Sequence, residues 1–366
     1  MHIDQVLVGA SPGDAVTESA LRIRDALRGA VDADVYALHI DERLRGEVGR
    51  IQDYPLPEHR TEADVLMFHA SIGDAHVLDF VLHRRERVFV VYHNITPSGF
   101  FRSIDPAFAG LLEAGRRSLP LLLKKADAVF ADSAFNAAEL AELGRTDVVV
   151  CPPPVRLNRL LEIESDEALQ AQLSVAVPER MVLFVGQILP HKRLDLLIGA
   201  HHLLVANTMP LTRLVIVGTN RHPRYGAAIR RLIDSMNLDT VWLTGEVSDA
   251  ALATFYRRAD VFVTASEHEG FCVPIIEAFH FGVPVVARGY GAIPETAGDA
   301  AIVLPPDCGA RHLAEATRRV LVDADLRQEL VARGHGRAAQ FEADALTTRM
   351  LAAIRDAIAN PAVARR

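Results

Sequence analysis

Short runs rich in β-branched residues alternate with helix-periodic segments along nearly the whole chain, and this alternation restricts the fold more than any other feature. In the first half it predicts strands at residues 5–10, 34–40, 65–71, 88–93, 128–131 and 147–151. Helices are expected between them, at 15–27, 77–84, 108–124 and 134–143. A strand followed by a crossover helix pairs in parallel with its neighbours, so the pattern calls for βαβ units around a sheet covered on both faces.

The stretch CPPPVRLNRLLEIESDEALQAQLSVAVPER, residues 151–180, breaks the alternation with three prolines followed by charge. The pattern then resumes, with strands expected at 181–185, 213–217, 240–243, 261–264, 284–287 and 300–303. Helices are expected at 194–205, 227–236, 250–256, 274–281 and 311–322. A chain of 366 residues exceeds what one core serves, since single cores stop growing near ~250–300 residues. The fold class expected is α/β, two doubly wound Rossmann-like domains facing across a cleft. Their bounds are read as 1–160 and 179–345, with a linker at 161–178 and a final helix at 346–366 packing back on the first domain.

Composition excludes some functions. With 39 basic and 47 acidic residues the net charge is -8, so the chain lacks the electrostatic footprint of a nucleic-acid binder. Anionic ligands must be held by local sites. Cys151, Cys272 and Cys308 lie far apart and match no metal-ligand spacing, which points to a reducing, cytoplasmic compartment. The opening residues MHIDQVLVGASPGD run straight into a strand and turn and read as no signal peptide. No apolar run reaches the ~20 residues that span a bilayer. The stretch FAGLLEAGRRSLPLLLKKADAVF sets Arg116, Arg117, Lys124 and Lys125 among leucines, on a helix expected to break at Pro120. Such a stripe can lie on an anionic membrane, although one core face and one solvated face explain it more simply.

In doubly wound sheets ligands bind beyond the carboxyl ends of the strands, and the residues able to carry chemistry fall there. In VFVTASEHEGFCVPIIEAFHFGVPVVARGYGAIPE, residues 261–295, Ser266 and Glu269 fit a capping box. A helix begun at Glu267 would contain Gly270 and drive the ring of Pro274 into the Gly270 carbonyl. The helix is therefore expected to start at Pro274, the favoured first position. Glu269 then lies in the loop and Glu277 in the first turn, where the helix dipole alone would favour it by about 0.3–1 kcal/mol. The amides of Gly270, Phe271, Cys272 and Val273 gather at the helix N-terminus, an anion-binding arrangement with an acid on either side.

In LFVGQILPHKRLDLLIGA, residues 183–200, a strand ends at Gly186 and Lys192 stands just before a helix, placed to meet a phosphate or to sit in solvent. The spacing is not that of a Walker loop. Gly9 and Gly13 flank a turn that lets backbone approach a ligand, without the dinucleotide fingerprint G-x-G-x-x-G. His93 and Asn94 end the strand of RVFVVYHNITPSGFF, and His69 ends LMFHAS; each histidine reads as well as a satisfied core residue.

Together these segments resemble the family-4 retaining glycosyltransferases, which have the two-Rossmann GT-B fold. The resemblance rests on FVGQILPHKRLDLLI, SEHEGFCVPIIEA, GVPVVA and GAIPE, and more loosely on the glycine turn, YHNITP and ADSAFNAAEL. It implies that Glu269 contacts hydroxyls of a donor sugar, that Glu277 binds the nucleotide ribose and that Lys192 neutralises a diphosphate leaving group. Amides near Phe271, Cys272 and Val273 would face the sugar and diphosphate, Gly9 to Gly13 would close over the phosphates, and His93 would lie at the reacting face. His69, Asn94 and Ser133 fall on the acceptor side, and the second domain is the donor side. The family's arginine after Gly186 is replaced here by Gln187, with Arg193 a candidate to compensate. The reaction that the resemblance implies is a hexosyl transfer from a UDP-sugar, or next a GDP-sugar, to a carbohydrate, lipid-linked or small-molecule hydroxyl. No cofactor or metal is expected, and the site of action is cytoplasmic, up to the inner face of the membrane. An inactive nucleotide-sugar-binding partner of another transferase is the competing reading, favoured by Gln187.

Overall fold

The computed structural model describes residues 1–154, 158–175 and 180–360. The chain divides into two compact units, one of Met1–Val155 with Phe341–Arg366, the other of Arg156–Gln340.

The first unit runs β1 (Ile3–Ala10), α1 (Ala15–Leu27), β2 (Val35–Ile40), β3 (Gly49–Arg50), β4 (Val65–Ala70), α2 (Ala75–Leu82), β5 (Arg87–Tyr92), α3 (Pro106–Lys125), β6 (Ala128–Ala131), α4 (Ala134–Glu142) and β7 (Val148–Val150). Its sheet has the order β3-β2-β1-β4-β5-β6-β7, and every pairing is parallel. The apolar runs are continuous rather than alternating because both faces are covered: β4 and β5 are buried almost throughout. Helix starts are set by short acids and hydroxyls. Asp14, Asp74, Asp105 and Ser133 each accept from an amide in the first turn of α1, α2, α3 and α4.

The break expected at Pro120 does not occur. Helix α3 runs through it to Lys125, because Pro120 sits on the exposed face while Leu119, Leu122 and Leu123 on the other face are buried. Two members of the basic stripe are turned to the protein. Arg116 donates to the Ile95 carbonyl at 2.8 Å and pairs with Glu139, and Lys125 donates to the Arg84 carbonyl at 2.9 Å.

The second unit begins in the segment read as a linker. Helices α5 (Asn158–Glu162) and α6 (Glu167–Val175) occupy it. Then follow β8 (Arg180–Val185), α7 (Leu194–Asn207), β9 (Thr212–Val217), α8 (Pro223–Ser235), β10 (Val241–Gly245), α9 (Asp249–Arg258), β11 (Val261–Thr264), α10 (Val273–His280), β12 (Val285–Arg288), α11 (Ile293–Ala297), β13 (Ala301–Leu304), α12 (Ala310–Val322) and α13 (Ala324–Ala338). Residues 158–175 belong to this unit because α9 holds them. Arg257 donates to the carbonyls of Leu161 and Ile163 at 3.0 and 2.7 Å, and Thr254 accepts from the Asp166 amide at 2.8 Å. The remainder of the expected linker, 176–178, lies outside the described residues.

The second sheet is also fully parallel, in the order β10-β9-β8-β11-β12-β13. In each sheet the order reverses beside the first strand, between β1 and β4 and between β8 and β11. A crevice opens at the carboxyl ends of such a pair. The last helix, α14 (Ala343–Ala359), returns to the first unit. Its Met350 and Ile354 join a core with Ile3, Ile23, Val65, Phe89 and Phe130, and Arg87 donates to its carbonyls at Ala357 and Ile358.

Candidate functional site

In the second unit the loops after β8 and β11 converge at the switch point. Val185 is followed by Gly186, whose amide donates to the Val217 carbonyl at 2.9 Å. The chain then passes Gln187 and makes a short 3-10 turn over Pro190–Lys192. Arg193 turns left-handed (φ 49°, ψ 48°) and releases α7. From this turn the Lys192 ammonium reaches Glu269, Nζ to Oε1 2.7 Å, with both side chains mostly buried. Burial alone would lower the pKa of Lys192, but the charge and hydrogen bond of Glu269 outweigh it and hold the ammonium above the ordinary lysine value.

Glu269 is itself fixed through its backbone. Its carbonyl accepts from the Ala292 amide at 2.9 Å. The chain crosses so closely that a Cβ on Gly291, left-handed at φ +57°, would stand 2.4 Å from that oxygen. The Phe271 carbonyl accepts from Thr296 Oγ1 at 2.5 Å. Cys272, left-handed at φ 73°, then caps α10, which starts at Val273 with Pro274 second. The capping box at Ser266–Glu269 starts no helix: Ser266 is buried and its hydroxyl lies 3.0 Å from that of Thr264. Burial pushes the Cys272 thiol well up, and Glu269 adds to it.

Two expectations change. Glu277 is not in the first turn: with the cap at Cys272 it is the fifth residue of α10, so the dipole does not account for it. It accepts instead from the Tyr256 hydroxyl at 2.7 Å. Arg193 is committed elsewhere, its guanidinium pairing with Asp195 at 2.9 Å and with Glu267. Glu267 was missed by sequence reasoning. It also lies 3.3 Å from Arg288, which is buried at the end of β12 and donates to the carbonyls of Ala265 and Pro306. The amide of Glu267 donates to the His191 carbonyl at 2.7 Å, so the loops that carry Lys192 and Glu269 are tied together. Only the spacing of Glu267 two residues before Glu269 hinted at this. His191 is held neutral, first by burial and then by the charge of Lys192.

In the first unit, Gly9 lies exposed in β1, and Gly13 turns at φ 70° just before α1, where Thr17 Oγ1 accepts from the Ser11 amide at 3.1 Å. His93 follows β5, and both its ring nitrogens are engaged: Nδ1 lies 2.8 Å from Asp132 Oδ2, and Nε2 lies 2.8 Å from Nδ1 of His69. Asn94, left-handed and buried, donates to Asn136 at 2.8 Å, and Ser133 accepts from the Asn136 amide at 3.2 Å as the cap of α4. His69, His93, Asn94 and Ser133 thus form polar contacts within the first unit. Among the described residues, no group of three or more His, Cys, Asp or Glu side chains is arranged to hold a metal ion.

Chemically, the second-unit crevice offers a buried cation, a carboxylate able to accept from hydroxyls and the start of a helix, all on loops braced from behind. That is an environment for a ligand with negative charge at one end and hydroxyls at the other.

Residues 165–337 match the family model for glycosyl transferases group 1. The D-inositol 3-phosphate glycosyltransferase of Kineococcus radiotolerans is 31% identical over 67% of this chain and 60% of its own length. The O-antigen chain mannosyltransferase B of Escherichia coli is 26% identical over 74% of this chain and 71% of its own. Thus the chain spans about three fifths of the first of these relatives. Among solved structures, sucrose-phosphate synthase of Thermosynechococcus elongatus superposes with a TM-score of 0.75 at 20% identity, covering 98% of this chain and 99% of that one. The Anabaena protein HepE, crystallised with UDP and glucose, gives 0.78 at 18% identity over 97% and 100%. At these identities the structural likeness establishes the GT-B fold.

Proposed function

We propose that this chain, a family-4-like member of the group 1 glycosyltransferases with a GT-B fold, transfers a hexosyl unit from a nucleoside-diphosphate sugar to a hydroxyl acceptor, with retention of the anomeric configuration. The observation that carries the reading is the Lys192–Glu269 pair, 2.7 Å apart at the carboxyl ends of neighbouring strands β8 and β11. Departure of a nucleoside diphosphate builds negative charge on phosphate oxygens, and a preorganised cation beside a helix start is the main resource for stabilising it. In this reading Lys192 moves from Glu269 to the diphosphate, and Glu269 turns its oxygens to sugar hydroxyls. Glu277, oriented by Tyr256, receives the ribose. Counter-charge comes from Lys192 and α10, so the transfer needs no metal.

A uridine nucleotide is the favoured donor base, supported by UDP in the HepE crystals, and guanosine is next. The acceptor is a carbohydrate, lipid-linked or small-molecule hydroxyl. A cytoplasmic setting, up to the inner membrane face, is supported by the three unpaired, buried cysteines; no described helix is long and apolar enough to cross a membrane.

Gln187 in place of the family's arginine, with Arg193 already paired, favours one other reading, a nucleotide-sugar-binding partner without turnover. A thermal-shift screen against UDP, GDP and ADP, followed by donor hydrolysis and transfer assays with the shifting nucleotide, decides between them. Stabilisation by UDP or GDP with turnover supports the transferase, and stabilisation without turnover supports the partner. No stabilisation by any of the three sinks both.

A further inference from the structure

Five groups on consecutive elements of the first unit form one line of hydrogen bonds through its sheet. The Gln5 amide nitrogen in β1 donates to the Ala20 carbonyl of α1 at 2.8 Å. Its oxygen therefore faces His69 Nε2 in β4, at 2.9 Å. His69 Nδ1 lies 2.8 Å from His93 Nε2, and His93 Nδ1 lies 2.8 Å from Asp132 just beyond β6. The histidine rings are 8° from parallel with centroids 5.1 Å apart. With two of their nitrogens at 2.8 Å, they lie edge to edge in one plane, joined by an N–H···N bond rather than stacked.

Proton positions follow from what each atom can do. An amide oxygen cannot donate, so His69 Nε2 carries a hydrogen. His69 is completely buried and burial keeps it neutral, so its Nδ1 is a bare acceptor. His93 Nε2 must then donate to it. That leaves His93 Nδ1 against the Asp132 carboxylate, where two bare lone pairs at 2.8 Å would repel, so a second proton sits there. Imidazole is the stronger base of the two, and the carboxylate can only accept once ionised, which puts the proton on the ring. Asp132 is buried and its other oxygen, Oδ1, has no hydrogen-bond partner among the described residues. A buried carboxylate facing only a neutral ring would be costly, and an imidazolium neutralises it.

We propose that His93 is an imidazolium locked in place, with Asp132 as its counter-ion and with Gln5 and His69 as positioning residues that force a hydrogen onto its second nitrogen. This rests on the proposed transfer and deepens it: His93 is then a fixed charge at the end of β5, never a general base.

The test is ring-nitrogen-resolved NMR of the full chain, 15N-labelled at histidine, at neutral pH. The wild-type spectrum should show both His93 nitrogens protonated and His69 protonated at Nε2 alone. In Gln5→Leu, His69 loses its acceptor, so its hydrogen should move to Nδ1 and one His93 N–H correlation should disappear. Asp132→Asn, which removes the counter-ion through a different element, should also cost His93 one N–H and serves if Gln5→Leu does not fold. A wild-type His93 with a single ring hydrogen overturns the proposal, as does an unchanged proton count in the folded variants. The spectrum reads protons and not turnover, so an inactive chain with the expected spectrum defeats the transfer reading and leaves this one standing.

Discussion

Lys192 is the residue on which most of the chemistry rests. Loss of one preorganised donor to a developing oxyanion typically costs about 2.7–4 kcal/mol of transition-state stabilisation. Lys192→Ala should therefore lower turnover roughly a hundredfold or more in a transfer assay, with a smaller change in donor affinity. Unchanged turnover would remove Lys192 from the leaving-group role. Because Glu269 raises its pKa, Lys192 stays charged through neutral pH, and the stability linked to its ammonium is lost as pH rises beyond the unfolded value of ~10.4 and through the folded one. Cysteine behaviour is separable from this. Burial raises the thiol pKa of Cys151 to about 11, and those of Cys272 and Cys308 also go up. Since the thiolate is the nucleophile, alkylation of the native protein should be negligible at neutral pH and become complete on unfolding. Rapid native labelling of Cys272 at pH 7 would mean that the loop after β11 opens far more than its contacts suggest.

At the scale of elements, the two loops of the second-unit crevice are held by backbone crossings as much as by charge. Gly291→Ala would put a methyl group 2.4 Å from the Glu269 carbonyl at a left-handed residue. The backbone conformation alone costs about 1–2 kcal/mol, and relief of the clash displaces the Glu269 loop. The variant should lose at least that much stability by denaturant titration and should also lose its thermal shift with nucleotide; a stable variant with the wild-type shift would show that the crossing does not position Glu269. This crossing was not legible in the sequence, where Gly291 is one glycine among GYGAIPE. Most strands and their parallel pairing were legible, because a sheet buried on both faces writes itself as unbroken apolar runs, but the strand order was not. Lys192 and Glu269 were legible as well, since each follows such a run. Their bracing was not: Arg288 ends a strand, and only the fold shows that its guanidinium joins the loops after β11 and β13. Gln5, inside β1, and Asp132, just past β6, were hidden too, as a polar residue in or beside a strand declares neither its face nor its neighbour. Proline and charge in 151–180 argued for a linker, but α9 supplied partners that composition does not reveal.

The whole molecule is a chain that leaves its first unit near residue 155 and comes back to it at residue 341. Separate cores of this kind can melt as separate cooperative units. The returning helix α14 gives a way to perturb one of them alone, since Ile354 is 1% exposed in a core made of first-unit side chains. Truncating such a side chain typically costs 2–5 kcal/mol, on the order set by how far the site collapses. Ile354→Ala should lower the first unit's transition by that amount and leave the second unit's in place. Nucleotide should do the reverse. A ligand at the Lys192–Glu269 crevice, present at 100 times its dissociation constant, adds about 2.7 kcal/mol to the unit that binds it. Differential scanning calorimetry of wild type and Ile354→Ala, each with and without UDP, therefore makes a two-by-two comparison in which variant and ligand move different transitions. If both move one common transition equally, the two units unfold as one. If UDP moves only the transition sensitive to Ile354→Ala, the nucleotide is held by the first unit, and the roles assigned to Lys192, Glu269 and Glu277 fall together.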